Sequence, residues 1–235
     1  APGTTEGFER LTAAWRATRR LQDSQKLTVT AGPAFTAKWL SPRFYDFAQS
    51  HPEIELRFAA SLKVMDFARD EVDVAIRYGT GCDEDLCALD LFEDWHAPFL
   101  TPALALRFPD AASLTKAPLF FDDSIDWLDP PVSWTTWFRA CGIDFNASPQ
   151  ARFSQADHAI DAAAGGGGVV FTRASLAMPA VASGLLVAPF DIALASQSRF
   201  RVLCAKGSEH RPQIAAFRDW VVREIDKISS CVPKK

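Results

Sequence analysis

No run of apolar residues in this sequence approaches the eighteen or so positions that a membrane span requires. The opening stretch, APGTTEGFERL, lacks the charged-then-apolar pattern of a secretory leader and carries no initiator Met. The chain is therefore expected to be processed or to be a piece of something longer. Charge of one sign is not in excess: 25 Lys and Arg stand against 29 Asp and Glu, a formal net charge of −4. A chain so balanced is a poor nucleic-acid binder, although a local anion site is still allowed. Five cysteines, Cys82, Cys87, Cys141, Cys204 and Cys231, are scattered, odd in number and without a CxxC pair. That usage argues against a disulfide framework and for a reducing compartment. The Cys82/Cys87 spacing admits a thiol switch, set against the blander reading of two small buried hydrophobes.

Signatures of catalysis and metal binding are also missing. His51, His96, His158 and His210 form neither HExxH nor another zinc spacing, and His158 with Asp161 is a single weak pair. There is no GxSxG elbow. The run AAAGGGGVVF (162–171) reads helix, glycines, strand, the reverse of a phosphate loop, and no Lys follows it. Those glycines are expected to end a helix and let a strand start tightly beneath it. No cofactor and no metal is expected.

What is present is ordinary globular composition, 48% hydrophobic and 23% charged over 235 residues, enough for one large domain or two small ones. Residues 6–25 read as a helix with Phe8, Leu11, Ala14, Trp15, Thr18 and Leu21 on a narrow apolar stripe and Arg10, Arg16, Arg19 and Arg20 mostly elsewhere. Such a stripe fits a surface helix docked on its own domain or a two-helix seam. KLTVTAGP (26–33) alternates as a strand, EIELRFAAS (53–61) as a second, and VDVAIRYG as a third. Between the first two, a helical face runs through Phe35, Trp39, Leu40, Phe44 and Phe47 and stops at His51-Pro52; Pro42 sits in a kink or in a first turn capped by Ser41. KVMDFARDE is expected to be a short helix with Val64, Phe67 and Ala68 on one side, and LCALDLFEDWHAPFLTP supplies a fourth strand. Strand alternating with helix predicts a mostly parallel sheet with right-handed crossovers.

The style repeats. APLFF (117–121), ARFS and GVVFT are expected strands. PVSWTTWFRACG is a helix capped by Ser133 and closed by Gly142, and QADHAIDAAAGG and RASLAMPAVASG are further helices. A strand at RFRVLCA (199–205) precedes a long amphipathic helix that buries Ile214, Phe217, Val221 and Ile225.

The charged stretch FARDEVDVAIRYGTG (67–81) holds Asp70 and Asp73, with Asp66 just before it. Paired catalytic carboxylates need one member desolvated or crowded, whereas this many neighbouring charges read as a solvated helix face. Tyr78, Gly79, Thr80 and Gly81 follow a strand at the end where open α/β sheets bind ligands. The same rule selects Pro33, Ala34, Phe35 and Thr36, then Ala60 and Ser61, then Ser154 and Gln155, each expected at a helix N-terminus suited to a carboxylate. For Thr36 and Ser154 the competing reading is a simple helix cap.

In combination and in order, FTAKWLSPRFYDFAQSHPEIELRFAAS, DFARDEVDVAIRYGTG, AAAGGGGVVFTRASLAMPAVASGLLVAPF and FRDWV resemble the effector-binding domain of LysR-type transcriptional regulators. The closest branch is similar to the activators of glycine-cleavage and β-lactamase genes, and the resemblance covers roughly residues 8–225. It implies an α/β fold of the type 2 periplasmic-binding-protein kind, two Rossmann-like lobes with a central cleft preceded by a linker helix. Residues 1–26 would be the linker and dimerisation helix, 27–101 with 200–235 lobe I, and 102–199 lobe II, with the winged helix-turn-helix absent from this chain. It implies a cytoplasmic homodimer or tetramer that meets DNA through that N-terminal domain, no membrane partner, and a small-molecule effector, a carboxylate or amino-acid-like metabolite. Effector contacts would fall on Pro33, Ala34, Phe35, Thr36, Ser61, Asp66, Ser154, Gln155 and Phe200. Family members often carry Ser or Thr at the place of Ala34 and Tyr at that of Phe200, so two hydroxyls are lost here.

The leading expectation is thus an effector-sensing, oligomerising domain of a transcriptional regulator rather than an enzyme. A transporter's periplasmic solute-binding protein is the alternative; it needs a signal peptide and would rarely keep five free cysteines. An enzyme on the same fold is a distant third.

Overall fold

The computed structural model describes residues 3–5, 7–8, 11–12, 15, 25–67, 69–81 and 84–229. Most of the helix expected at 6–25 lies outside them; Gly7, Phe8, Leu11, Thr12 and Trp15 are helical. The chain divides into two compact units, one of residues 1–32, 43–92 and 200–235, the other of residues 33–42 and 93–199.

The first unit is organised by three parallel strands, β1 (Lys26–Ala31), β2 (Glu55–Ala60) and β3 (Val74–Gly79), with β1 in the middle. Leu27, Val29 and Ala31 alternate inward on β1 and are fully buried, as the period of two demands. Beyond β3 come the later part of β8 (Leu194–Ala205) and the first part of β4 (Leu86–Phe99). Two helices close this core, α2 (Phe44–Ser50) and α7 (Pro212–Ser229). Phe47 of α2 meets Phe217 and Trp220 of α7 edge-on, at centroid distances of 5.6 and 5.5 Å. Ile214, Val221 and Ile225 are buried beside them, as the helical spacing requires.

Three expectations fail in this unit or, at Pro42, just before its second piece. KVMDFARDE forms turns, not a helix. The Asp70 carboxylate takes the Asp66 N–H at 2.9 Å, Val64 is 89% exposed, and Ala68 lies outside the described residues. Consequently no helix N-terminus follows Ala60 and Ser61. Pro42 is neither a kink nor a capped first turn: it lies in a turn before α2, whose N-cap is Arg43. Finally, Asp73 is not on a solvated face. Its buried carboxylate accepts the Thr28 N–H at 2.9 Å and pairs with the Arg211 guanidinium at 2.7 Å.

The second unit contains β5 (Leu119–Asp122), flanked in parallel by β6 (Ala151–Phe153) and β7 (Val169–Arg173), with the later part of β4 antiparallel to β7. Helix α4 (Trp134–Ala140) is capped by the Ser133 hydroxyl and ends before Gly142 at φ 76°, and it brings Trp134, Trp137 and Phe138 into the core. The indole N–H of Trp134 reaches the Phe120 carbonyl and that of Trp137 the Ile192 carbonyl, so neither is buried unpaired. Helices α5 (Ala156–Ala164) and α6 (Ala174–Ala182) flank β7 in sequence. The glycine run does what its order implies. Gly166 takes φ 82° after α5, and at Gly168 a Cβ would stand 2.5 Å from the Pro118 carbonyl and 2.9 Å from the Phe120 ring. The single turn α1 (Pro33–Phe35) packs on α5, and the π-helical turn Thr36–Leu40 that continues it packs on α6. Helix α3 (Pro102–Arg107) follows β4, capped by Thr101. The strand expected at 199–205 starts earlier, at Leu194, because the polar Ser196 and Ser198 bury and bond to one another's groups.

Replacing Asp73 by Ala removes the carboxylate that pairs with the mostly buried Arg211 guanidinium; urea unfolding should show a loss of about 3 kcal/mol. Gly168→Ala must push β7 away from the Pro118 carbonyl, and the same measurement should show a loss of about 1–3 kcal/mol.

Candidate functional site

In the second unit the residues after β1 and those after β6 converge. Pro33, Ala34 and Phe35 form α1 against α5, the helix that Ser154 and Gln155 introduce. Phe35 is buried and stacks on Trp39 at 5.0 Å, Ala34 is buried, and Pro33 is half-buried. Neither expected cap is one. Thr36 lies in mid-helix, where Ser41 donates back to its carbonyl at 2.9 Å in a π-type bond, and π turns recur at functional sites. Its hydroxyl oxygen is buried and has no hydrogen-bond partner among the described residues. Ser154 is exposed, and the N-cap of α5 is Gln155, whose side chain makes no capping bond. The first turn of α5 therefore offers N–H groups uncapped by a side chain. Lys38 pairs with Asp161 of α5 at 2.5 Å and fixes the π turn to that helix.

Ser61, Asp66 and Phe200 belong to the first unit. Ser61 donates its N–H to the Ala31 carbonyl at 2.8 Å, and its hydroxyl takes the Lys63 N–H at 3.1 Å. Asp66 is exposed, with the Arg69 guanidinium 3.6 Å away. Phe200 is only 3% exposed and sits against Tyr78 at 4.8 Å and Phe92 at 5.4 Å. The charged stretch is thereby explained. Arg77, at the end of β3, donates to the Thr30 hydroxyl and to the Lys63 carbonyl, each at 3.2 Å, so it fastens the 61–66 segment to β1. Burial pulls its pKa below the usual arginine value.

Sequence reasoning missed the polar row at the carboxyl ends of β5 and β7. Asp122 is opposite Phe153 on one neighbour; its buried carboxylate takes the Thr172 hydroxyl at 2.8 Å from the other and the Ser124 hydroxyl at 2.6 Å. Arg173 donates to Ser124 at 2.9 Å. Asp94 of β4 accepts the Ser175 hydroxyl at 2.5 Å and the Ser175 and Trp95 N–H groups. Burial raises its pKa against those hydrogen bonds. These residues come from three strands and carry no local signal. Each of the two carboxylates accepts three hydrogen bonds from its neighbours.

His96, paired across the strands with Arg173, is completely buried. Neither ring nitrogen makes a well-formed hydrogen bond among the described residues, although the Leu194 backbone lies alongside. Burial, with the Arg173 charge, lowers its pKa from 6.5 to about 3. The native state thus refuses a proton that the unfolded chain accepts below 6.5, so His96 makes stability fall as pH drops from 6.5 towards 3. Asp94, whose native pKa is raised, acts in the opposite sense above the unfolded carboxylate value. His96→Leu should flatten the pH dependence of the urea midpoint between pH 6 and 5 by about one proton's slope, ~1.4 kcal/mol per pH unit, relative to wild type.

Comparison with known proteins agrees with this geometry. Residues 20–226 match the family model described as the LysR substrate binding domain. The chain is 31% identical over 223 residues to the glycine cleavage system transcriptional activator of Escherichia coli K12, covering 92% of this chain and 70% of that protein. It is 29% identical to the HTH-type transcriptional activator AmpR of Citrobacter koseri, over 93% of this chain and 74% of the other. Among solved structures, the effector domain of AmpR from Pseudomonas aeruginosa superposes with a TM-score of 0.70 at 27% identity, covering 87% of this chain and 98% of that one. These relatives are regulators, which does not favour the transporter reading, and no described helix is long and apolar enough to cross a membrane. The chain belongs to the LysR family and is the effector-binding domain of a LysR-type transcriptional regulator.

Proposed function

We propose that this domain senses a small carboxylate or amino-acid-like metabolite and that it does so without catalysing a reaction. Pro33, Ala34, Phe35, Thr36, Ser61, Asp66, Ser154, Gln155 and Phe200 form the effector site in this reading. The observation that carries it is the Thr36 hydroxyl, buried and without a hydrogen-bond partner among the described residues, on a π turn that Lys38 ties to α5, whose start no side chain caps. A buried hydroxyl without a partner is costly, and a carboxylate would satisfy it together with free helix N–H groups.

The regulator works as a homodimer or tetramer in the cytoplasm and meets DNA through an N-terminal winged helix-turn-helix. Phe8, Leu11 and Trp15, spaced by three and four on helical residues, are 71%, 68% and 67% exposed, which supports a seam with a second copy. Effector binding favours one arrangement of the two lobes, 27–101 with 200–235 and 102–199, and the linker helices of 1–26 pass it to DNA. It can do so only by its differential affinity for the two arrangements.

A panel of free amino acids and small carboxylates, screened by thermal shift, tests the site. At least one should raise the Tm of the wild type. That shift should shrink with Thr36→Val and with Ser154→Trp, an affinity loss of about 1.5–3 kcal/mol, roughly ten- to a hundred-fold. The unliganded Tm should be retained in both. An undiminished shift in both variants would place the effector elsewhere.

A further inference from the structure

We propose that Cys87, Cys204 and Glu209 form a binding site for a thiophilic divalent cation of the zinc class, separate from the effector site. Two thiol sulfurs and one carboxylate oxygen lie within 4.8 Å of one another. Tetrahedral zinc, with Zn–S about 2.3 Å and Zn–O about 2.1 Å, holds such ligand atoms roughly 3.5 Å apart, so closure needs only small side-chain rotations. The backbone prepares the cluster. Cys87 stands near the start of β4 and Cys204 near the end of β8, neighbouring strands of the sheet. Past Ala205 the chain reverses at Gly207, whose φ of 84° suits glycine, into the helical turn Ser208–His210. The Ser208 hydroxyl bonds to the Ala205 carbonyl at 2.6 Å and holds that turn, which returns Glu209 to Cys204.

A second, independent observation points to a ligand. The Glu209 Oε2 atom is buried and makes no well-formed hydrogen bond among the described residues, although the Gly207 and Glu209 backbone N–H groups lie close to the carboxylate. A cation at the cluster would give that oxygen a full partner. Two sulfur ligands exclude calcium and magnesium and select zinc or its soft relatives. The charges balance as well. Binding releases the two thiol protons to water and forms two metal–sulfur bonds and one metal–oxygen bond. Two thiolates, one carboxylate and a divalent ion leave one negative charge, and Arg218 acts electrostatically on both Cys204 and Glu209. Cys204 is buried, whereas Cys87 and Glu209 are half-buried, so an ion has a way in. Three protein ligands leave one position open, as in exchangeable rather than closed structural sites. Cys82, which the sequence also set near Cys87, lies outside the described residues.

The test uses the full chain, reduced with a phosphine and titrated with Co2+ as a spectroscopic stand-in for zinc. The expected result is a near-ultraviolet thiolate-to-cobalt charge-transfer band and visible tetrahedral d–d bands, saturating at one equivalent and bleached by Zn2+. Cys204→Ser and Glu209→Gln should lose or weaken both, while Cys141→Ser should keep them. Because Cys204 variants can fail to fold, a second measurement uses the wild type alone. Zn2+ should slow alkylation at Cys87 and Cys204 and leave Cys141 unaffected, read by peptide mass mapping. No charge-transfer band in the reduced chain, bands that persist in Glu209→Gln and Cys204→Ser, or zinc protection that spares Cys87 and Cys204 would each overturn the proposal.

Discussion

The first unit is assembled from three separate pieces of chain, the last more than a hundred residues beyond the others, and one carboxylate touches all three. Asp73 accepts the Thr28 N–H from the first piece and pairs with Arg211 from the last, while itself opening the strand of the second. Placing a charge in so closed a position is costly unless every oxygen is engaged. Here both oxygens are, one by a backbone donor and one by a guanidinium that is itself mostly buried. With β1 and β3 held in register at their starts, Thr30 and Arg77 meet at the other end, and Arg77 can then fasten the 61–66 segment. The rim that carries Ser61 and Asp66 thus depends on an ion pair at the opposite end of the same strands.

Much of this was legible because periodicity is a local property. Leu27, Val29 and Ala31 specify β1, and Ile214, Phe217, Val221 and Ile225 specify the face of α7, without reference to anything distant. Ser133 and Gly142 mark both ends of α4 for the same reason. The failures have a physical pattern. Residues 62–71 have an adequate helical spacing, but Asp70 takes a backbone N–H that a helix would use, and Val64 has nothing to pack against. The start of β8 looks too polar for a buried strand because Ser196 and Ser198 satisfy one another locally. Asp73 looked solvated because its partner lies in a segment that the sequence alone does not bring near.

The candidate site divides along the same line. The strand-end rule placed Pro33, Ser154 and Gln155 correctly at helix starts, since that rule follows from topology. It could not foresee that Thr36 lies within a π turn with a buried, unpartnered hydroxyl. Nor did it find Asp94, Asp122, Arg173 and Ser175, whose association is a product of strand order. Their hydrogen bonds, with a neutral His96 beside Arg173, tie β4, β5, β7 and α6 together in this polar interior.

The scattered composition of the first unit also bears on how the polypeptide is made. The second unit comprises residues 33–42 and 93–199, so all of its sequence has been synthesised before Arg211 exists. The first unit cannot close until α7 and the last part of β8 have left the ribosome, and until then Asp73 lacks Arg211 and Phe47 lacks Phe217 and Trp220. Domains form as units while the nascent chain lengthens. The second unit therefore has its complete sequence available for folding before the first does.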